Sequence, residues 1–258
     1  MSIAPKKHFG QHFLRDTHIA ENICNALQKI NQSYFELFEV GPGQGVLTQF
    51  LYERYKEKLH LVEIDKDLIP ALQRNYPLIK NQIIQDDILE IDFKKYCTAP
   101  FGVIGNFPYN ISSQIIFKIV EHREQIPEMV GMFQKEVAQR VCSPPGSKVY
   151  GLISVWVQTF YEVKYLFTVN EGSFFPPPKV KSGVIRLSRK ESFHPDCDES
   201  FLLTVIKTAF NQRRKTLRNS LKIFSVNFPA LDSGILDKRP EQLGFEQFIY
   251  LAKMLKSN

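Results

Sequence analysis

Apolar positions along this chain fall into short runs and helical spacings that alternate. Ile19, Ile23, Ala26, Leu27 and Ile30 recur three and four apart, which predicts a helix over residues 17–30 with Thr17 as its cap. FELFEV at 35–40 is a short apolar run stopped by Gly41, a predicted buried strand. A helix is predicted over 46–57, a second strand over 59–65 and another helix over 66–75. NQIIQDDI at 81–88 and FGVIGN at 101–106 read as the third and fourth strands. Strands alternating with helices predict an α/β fold on a parallel sheet.

Beyond that point, 111–124 and 128–142 read as helices. LISVWVQTF at 152–160 and YEVKYLFTV at 161–169 are rich in β-branched and aromatic residues and are predicted strands. The periodicity of the first also fits a helix. A last strand is expected at 180–190, and Ser143-Pro144-Pro145-Gly146-Ser147 reads as an exposed loop. Residues 191–200 turn polar and acidic, and 200–258 show helical spacing with little strand character. The expected division is a catalytic domain at 1–190 and a small helical domain at 191–258.

Composition narrows the class. With 258 residues, 43% of them apolar and 23% charged, the chain reads as a soluble globular protein and excludes a disordered or collagen-like one. No apolar run approaches the roughly 18–20 residues of a membrane span. The N-terminus carries charges and histidines where a signal peptide has its apolar core, so a cytoplasmic location is expected. Cys24, Cys97, Cys142 and Cys197 are dispersed and the six histidines have no ligand spacing, so neither a disulfide framework nor a metal site is expected.

Net charge is only +6, but 14 of the 33 basic residues sit in three acid-free windows, 1–15, 178–190 and 207–222. The last contains Arg213, Arg214 and Lys215. A basic footprint on a mildly acidic body suggests a polyanion partner, although separate solvated faces would give the same count.

Glu39-Val-Gly41-Pro-Gly43-Gln-Gly45 directly follows the first long strand. Glycines there let backbone N–H groups approach a ligand at a helix N-terminus. The GxGxG spacing is not the dinucleotide fingerprint, and alone it also suits a tight turn. Glu63 ends the second strand, where a carboxylate can accept both hydroxyls of a ribose. Asp87 follows the third strand, where a carboxylate can accept from an adenine amino group. Together they outline an adenosine pocket along the carboxyl edge of a parallel sheet.

Asn106-Phe107-Pro108-Tyr109 follows the fourth strand. Phe107 precedes proline, which biases its backbone to the extended region and can hold its carbonyl beside the Asn106 side-chain oxygen. Two such acceptors can bind an exocyclic amino group and stabilise the positive charge that grows as it attacks an electrophilic methyl. The Tyr109 ring can stack on a base and favour a nearby sulfonium.

These stretches resemble the ribosomal RNA adenine N6-dimethyltransferase family, on its small-subunit branch. The match continues through KKHFGQHFL at 6–14, QKEVAQR at 134–140, GSKVYG at 146–151, FFPPPKV at 174–180 and NQRRKTLRNSL at 211–221. The resemblance implies a class I S-adenosylmethionine-dependent, Rossmann-like sheet with a small all-helical C-terminal domain. It implies methylation of N6 on two adjacent adenosines in the 3′-terminal hairpin loop of 16S rRNA, within the immature small subunit. By motif, it assigns the cofactor to His12, Leu14, Gly41, Gly43, Glu63, Asp87 and Asn106. It places Phe174 near the target base with Tyr109, and Arg213, Arg214 and Lys215 on the RNA. The sequence departs from the family at Phe107, where leucine is usual, at His12, where asparagine is common, and at Leu152, where a basic residue is usual. Two alternatives remain at this level: a macrolide-resistance dimethylase acting on 23S rRNA, and a non-catalytic nucleic-acid-binding factor on the same fold.

Overall fold

The computed structural model describes residues 5–6, 9–191 and 194–256. Lys7 of the first basic window and part of the 191–200 linker fall outside them. The chain runs through β1 (Phe13–Leu14), α1 (Thr17–Asn25), β2 (Glu36–Val40), α2 (Thr48–Tyr55), β3 (Leu59–Glu63), α3 (Ile69–Asn75) and β4 (Ile83–Gln85). It continues with β5 (Phe101–Asn106), α4 (Ser112–Glu121), β6 (Glu128–Gln134), α5 (Lys135–Cys142), α6 (Leu152–Phe160), β7 (Tyr161–Val169), β8 (Phe174–Phe175) and β9 (Ser182–Arg189). Helices α7 (Glu199–Asn211), α8 (Leu217–Ser220), α9 (Ser233–Leu236) and α10 (Phe245–Lys256) follow, with short 3-10 turns between.

Seven strands form one sheet in the order β4-β3-β2-β5-β6-β9-β7. Pairings from β4 through β6 are parallel, and β6 pairs antiparallel with β9. The chain winds outward from β2 to β4, then returns to β5 on the other side. That reversal puts a topological switch point between β2 and β5, where such sheets bind ligands beyond the strands' carboxyl ends. Residues 37–40 and 101–105 are buried on both faces, as parallel strands covered by helices must be.

By their contacts the residues form two compact units. One runs to Ala138 and resumes at Lys164–Arg189, and the other takes Gln139–Val163 and the chain from Lys190 onward. The chain therefore changes unit at 190 and at two earlier points as well. The second unit is helical, and its core joins Ile153, Val155 and Phe160 of α6 to Leu202, Val205 and Ile206 of α7 and to Phe248 and Leu251 of α10.

Two elements differ in type from their sequence prediction, and α1 and β4 are shorter than predicted, at Thr17–Asn25 and Ile83–Gln85. EMVGMFQ at 128–134 is strand β6, not the start of a helix. It lies between β5 and β9 with residues 128–133 buried, and a strand buried on both faces loses the alternation that would distinguish it from a helix. LISVWVQTF is helix α6, not a strand. Ser154 Oγ accepts from the Gly151 N–H at 3.0 Å and so starts the helix, and burial on nearly every side overrides the β-propensity. The cap of α1 is Asp16, whose Oδ1 accepts from Ile19 N–H at 3.1 Å, in place of Thr17.

The buried carboxylate of Glu128, at the start of β6, locks the segment after α1 to the sheet. It accepts from the Gln28 and Lys29 N–H groups at 3.0 Å and from the Tyr34 hydroxyl at 2.7 Å. Burial first, then the Glu128 charge, pushes the Tyr34 hydroxyl far above its usual range, so it stays a donor. Tyr34→Phe should lower unfolding free energy by about 2 kcal/mol, because a buried carboxylate loses a donor. Denaturant melts check this, and an unchanged midpoint would remove the network from the account.

Candidate active site

A cavity of about 270 Å³ opens at the switch point. All seven expected cofactor residues, His12, Leu14, Gly41, Gly43, Glu63, Asp87 and Asn106, line it, with Phe107, Pro108 and Tyr109. Phe9, Gln11, Ile64, Asp86 and Ile88 also line it and were not foreseen. Ile64 and Ile88 directly follow Glu63 and Asp87, and apolar residues just beyond strand-end carboxylates are the signal that could have found them.

The glycine loop crosses the end of β2. Gly41, Gly43 and Gly45 all have positive φ, which side-chain-bearing residues rarely adopt. Beyond the adjoining residues, the nearest atom to a Cβ on Gly41 would be the Asn106 carbonyl oxygen at 3.9 Å, so this backbone faces open cavity. From beneath, the Tyr76 hydroxyl donates to the Gly45 carbonyl at 3.1 Å.

Glu63 is 3% exposed. One of its oxygens accepts from the Gly43 N–H at 3.0 Å and the other from Asp65 N–H at 2.9 Å. Burial raises its pKa, while those N–H groups oppose the rise. Asp87 accepts from Leu89 N–H at 2.9 Å, which turns the chain after β4. Asp65 ties the N-terminal segment to this edge: Lys6 Nζ lies 2.5 Å from it and 2.6 Å from Asp67, and Gln11 Nε2 donates to it at 3.0 Å. Burial works against the Asp65 charge, but Lys6 and Gln11 hold its carboxyl below the ordinary value.

The tetrapeptide is fixed from several sides. Asn106 Nδ2 donates to the His12 carbonyl at 3.0 Å, which leaves Oδ1 as the acceptor for a ligand. Phe107 N–H donates to the Met132 carbonyl at 3.1 Å. The Phe107 ring is 1% exposed and stacks on Phe133 with centroids 4.9 Å apart. It fills space left by two glycines: a Cβ on Gly131 would meet this ring at 2.4 Å, and one on Gly105 would meet it at 3.1 Å. Tyr109 stacks on the His12 ring at 5.5 Å, and its hydroxyl lies 2.5 Å from Ser182 Oγ. His12 Nδ1–H in turn donates to the Pro176 carbonyl at 2.8 Å. Ser182 was not singled out from sequence, and Lys6 was counted only in the basic window at 1–15, whereas it pairs with Asp65 and Asp67; nothing local marks a serine or lysine whose partner is far along the chain.

Other expected residues lie elsewhere. Phe174 is 4% exposed and packs in the core with Leu14, while its neighbour Phe175 is 44% exposed. Arg213 is half-buried and donates to the Lys148 carbonyl at 2.6 Å, whereas Arg214 and Lys215 are exposed. Among the described residues no cluster of His, Cys, Asp and Glu could hold a metal, and no helix is long and apolar enough to cross a membrane.

The dimethyladenosine transferase of Plasmodium falciparum superposes on 93% of this chain and 96% of its own length, with a TM-score of 0.78 and 26% identity. The 23S rRNA methyltransferase ErmE shares the fold at a TM-score of 0.67, 23% identity, and 95% and 100% coverage. This is a class I, Rossmann-like methyltransferase, and its cofactor is S-adenosylmethionine. The pocket fits that group: Glu63 offers a buried carboxylate to ribose hydroxyls, Gly41 an open backbone, and Ile64 and Ile88 apolar surface.

The chain belongs to the ribosomal RNA adenine dimethylase family, whose model matches residues 4–256. It is 49% identical to the ribosomal RNA small subunit methyltransferase A of Flavobacterium johnsoniae, over 99% of this chain and 97% of that one. The protein of that name from Parabacteroides distasonis is 50% identical over 96% and 93%.

Glu39 gives the site a pH signature. It is 1% exposed on β2, and its Oε2 has no hydrogen-bond partner among the described residues. Burial pushes its pKa from 4.5 up to about 8, with Thr48 opposing and the Glu63 charge adding to the rise. The folded chain then binds a proton that the unfolded chain releases, so this group's stabilisation is lost as pH rises from about 4.5 to 8. Glu39→Gln, which keeps a neutral group of the same shape, should flatten that decline and be more stable than the parent at pH 8. Melts across that window check it, and parallel pH profiles would contradict it.

Proposed function

We propose that this chain transfers methyl groups from S-adenosylmethionine to N6 of two adjacent adenosines in the 3′-terminal hairpin loop of 16S rRNA. It acts on the immature small subunit in the cytoplasm. The observation that carries this reading is the Asn106 amide, whose Nδ2 is committed to the His12 carbonyl and whose Oδ1 is left for an amino donor. The small-subunit methyltransferases at 49–50% identity over nearly the whole chain support this rRNA over 23S.

Bound S-adenosylmethionine supplies an electrophilic methyl on a sulfonium. Asn106 Oδ1 and the Phe107 carbonyl accept the N–H groups of the target amine and stabilise the positive charge that grows on N6. The Tyr109 ring, steadied by His12 and Ser182, stacks on the adenine. An adenine inside a helix keeps N6 out of reach, and extruding a loop base costs less than opening a pair. Arg214 and Lys215 of the helical unit attract phosphates, and Arg213 shapes that surface through its bond to Lys148.

Asn106→Ala should slow methylation by roughly 10²–10³, as loss of a preorganised charge stabiliser does. Both steps use the same oxygen, so neither should be spared. Mass spectrometry of digested RNA, counting unmodified, monomethyl and dimethyl adenosine over time, checks this. Dimethyladenosine formed at the parent rate would remove the amide from the chemistry.

A further inference from the structure

The two-stranded ribbon of β1 and β8 has two faces. Its antiparallel register sets Leu14 opposite Phe174 and Phe13 opposite Phe175. Leu14 and Phe174 turn into the core. Phe13 and Phe175 occupy the other face, and they fare differently. Phe13 is buried and lines the cofactor cavity, while Phe175 remains 44% exposed. The Arg15 guanidinium, itself exposed, lies over the Phe175 ring at 4.0 Å from its centroid. Arg15 N–H donates to the Ser173 carbonyl at 2.8 Å, which holds the backbone that carries the pair. Lys179, Val180 and Lys181 follow, all exposed, and no acidic residue occurs from 172 to 190.

An aromatic ring and a planar cation, stacked together and open to solvent, are what an unpaired nucleobase stacks on, and the surrounding positive charge suits its phosphate. The pair is linked to the acceptor turn: Pro176 follows Phe175, its carbonyl accepts from His12, and the His12 ring stacks on Tyr109. Extruding an adenine also strips its neighbour of a stacking partner. We propose that Phe175 and Arg15 form a stacking platform for the nucleotide next to the adenosine being methylated. This rests on the RNA reading given under Proposed function. The platform takes up the π-face that extrusion exposes and so lowers the cost of presenting the target.

The test pairs protein and RNA truncations. Binding is measured to synthetic hairpins whose loop holds two adjacent adenosines, intact or with an abasic site at one flanking position or the other. Removing the flanking base should weaken parent binding about tenfold at one of the two positions, the scale of one stacked base. Phe175→Ala should bind the intact hairpin about tenfold more weakly and lose nothing further on that abasic hairpin, while Phe175→Trp stays near the parent. On unmethylated small subunits, Phe175→Ala should raise KM about tenfold with kcat within twofold. S-adenosylmethionine affinity and the melting midpoint should not change. Penalties that add, or a Phe175→Ala variant with parental Kd and KM, would overturn the platform. A parent chain that binds S-adenosylmethionine but leaves the subunits unmethylated would instead overturn the RNA reading, and the hairpin measurements would still decide the platform.

Discussion

One buried ring sets the geometry of the active site. The Phe107 side chain fills the notch over Gly105 and Gly131 and stacks on Phe133, so the turn that follows β5 can leave the sheet in only one direction. Protein interiors are close-packed, and a ring without spare volume fixes the backbone that carries it. Asn106 precedes that ring and Pro108 follows it. Core packing thus holds the backbone of the turn, and His12 and Ser182 hold the Asn106 and Tyr109 side chains that it carries. The ring leaves no room for a side chain at Gly131, while Gly105 is confined chiefly by the Val40 carbonyl, which a Cβ there would meet at 2.6 Å.

The N-terminal segment adds a second constraint. It reaches the sheet edge through Lys6 and Gln11 on Asp65, and it reaches the turn through the His12 carbonyl on Asn106. One stretch of chain thus connects the segment after β3 with the turn after β5. Electrostatics divides the carboxylates there by environment. Asp65 is kept charged by Lys6, whereas Glu39, buried beneath the loop without a cation, holds its proton to about pH 8. The charge at the sheet edge is paired with a cation, and the layer below avoids charge that it could not solvate.

Much of this was legible in the sequence because it is local. FGVIGN was bounded correctly as β5, and the glycine loop, Glu63, Asp87 and the tetrapeptide all lie where parallel-sheet logic puts them. The failures share a cause in burial. Residues 128–133 and most of 152–160 are buried, so their hydrophobic pattern does not separate strand from helix, and their neighbours decide. Gly131, Ser182 and Asp65 act through partners 20 or more residues away, which no local pattern encodes. The Phe174–Phe175 pair shows the limit of a motif: it singled out Phe174, which is buried, because only strand register determines which of two adjacent rings meets solvent.

The central claim is that packing beneath Phe107 aims the acceptor turn, and Gly131→Ala tests it most directly. The added methyl would sit 2.4 Å from the Phe107 ring and would not touch the cofactor cavity. Overpacking of this kind costs about 1–3 kcal/mol, which a chain of this size should survive. Single-turnover methylation of unmethylated small subunits, measured beside S-adenosylmethionine affinity, gives the answer. The account predicts a fall in the methyl-transfer rate of at least about tenfold, the size of a 1.4 kcal/mol change, with cofactor affinity nearly unchanged. A folded Gly131→Ala variant that transfers methyl at the parent rate would contradict it.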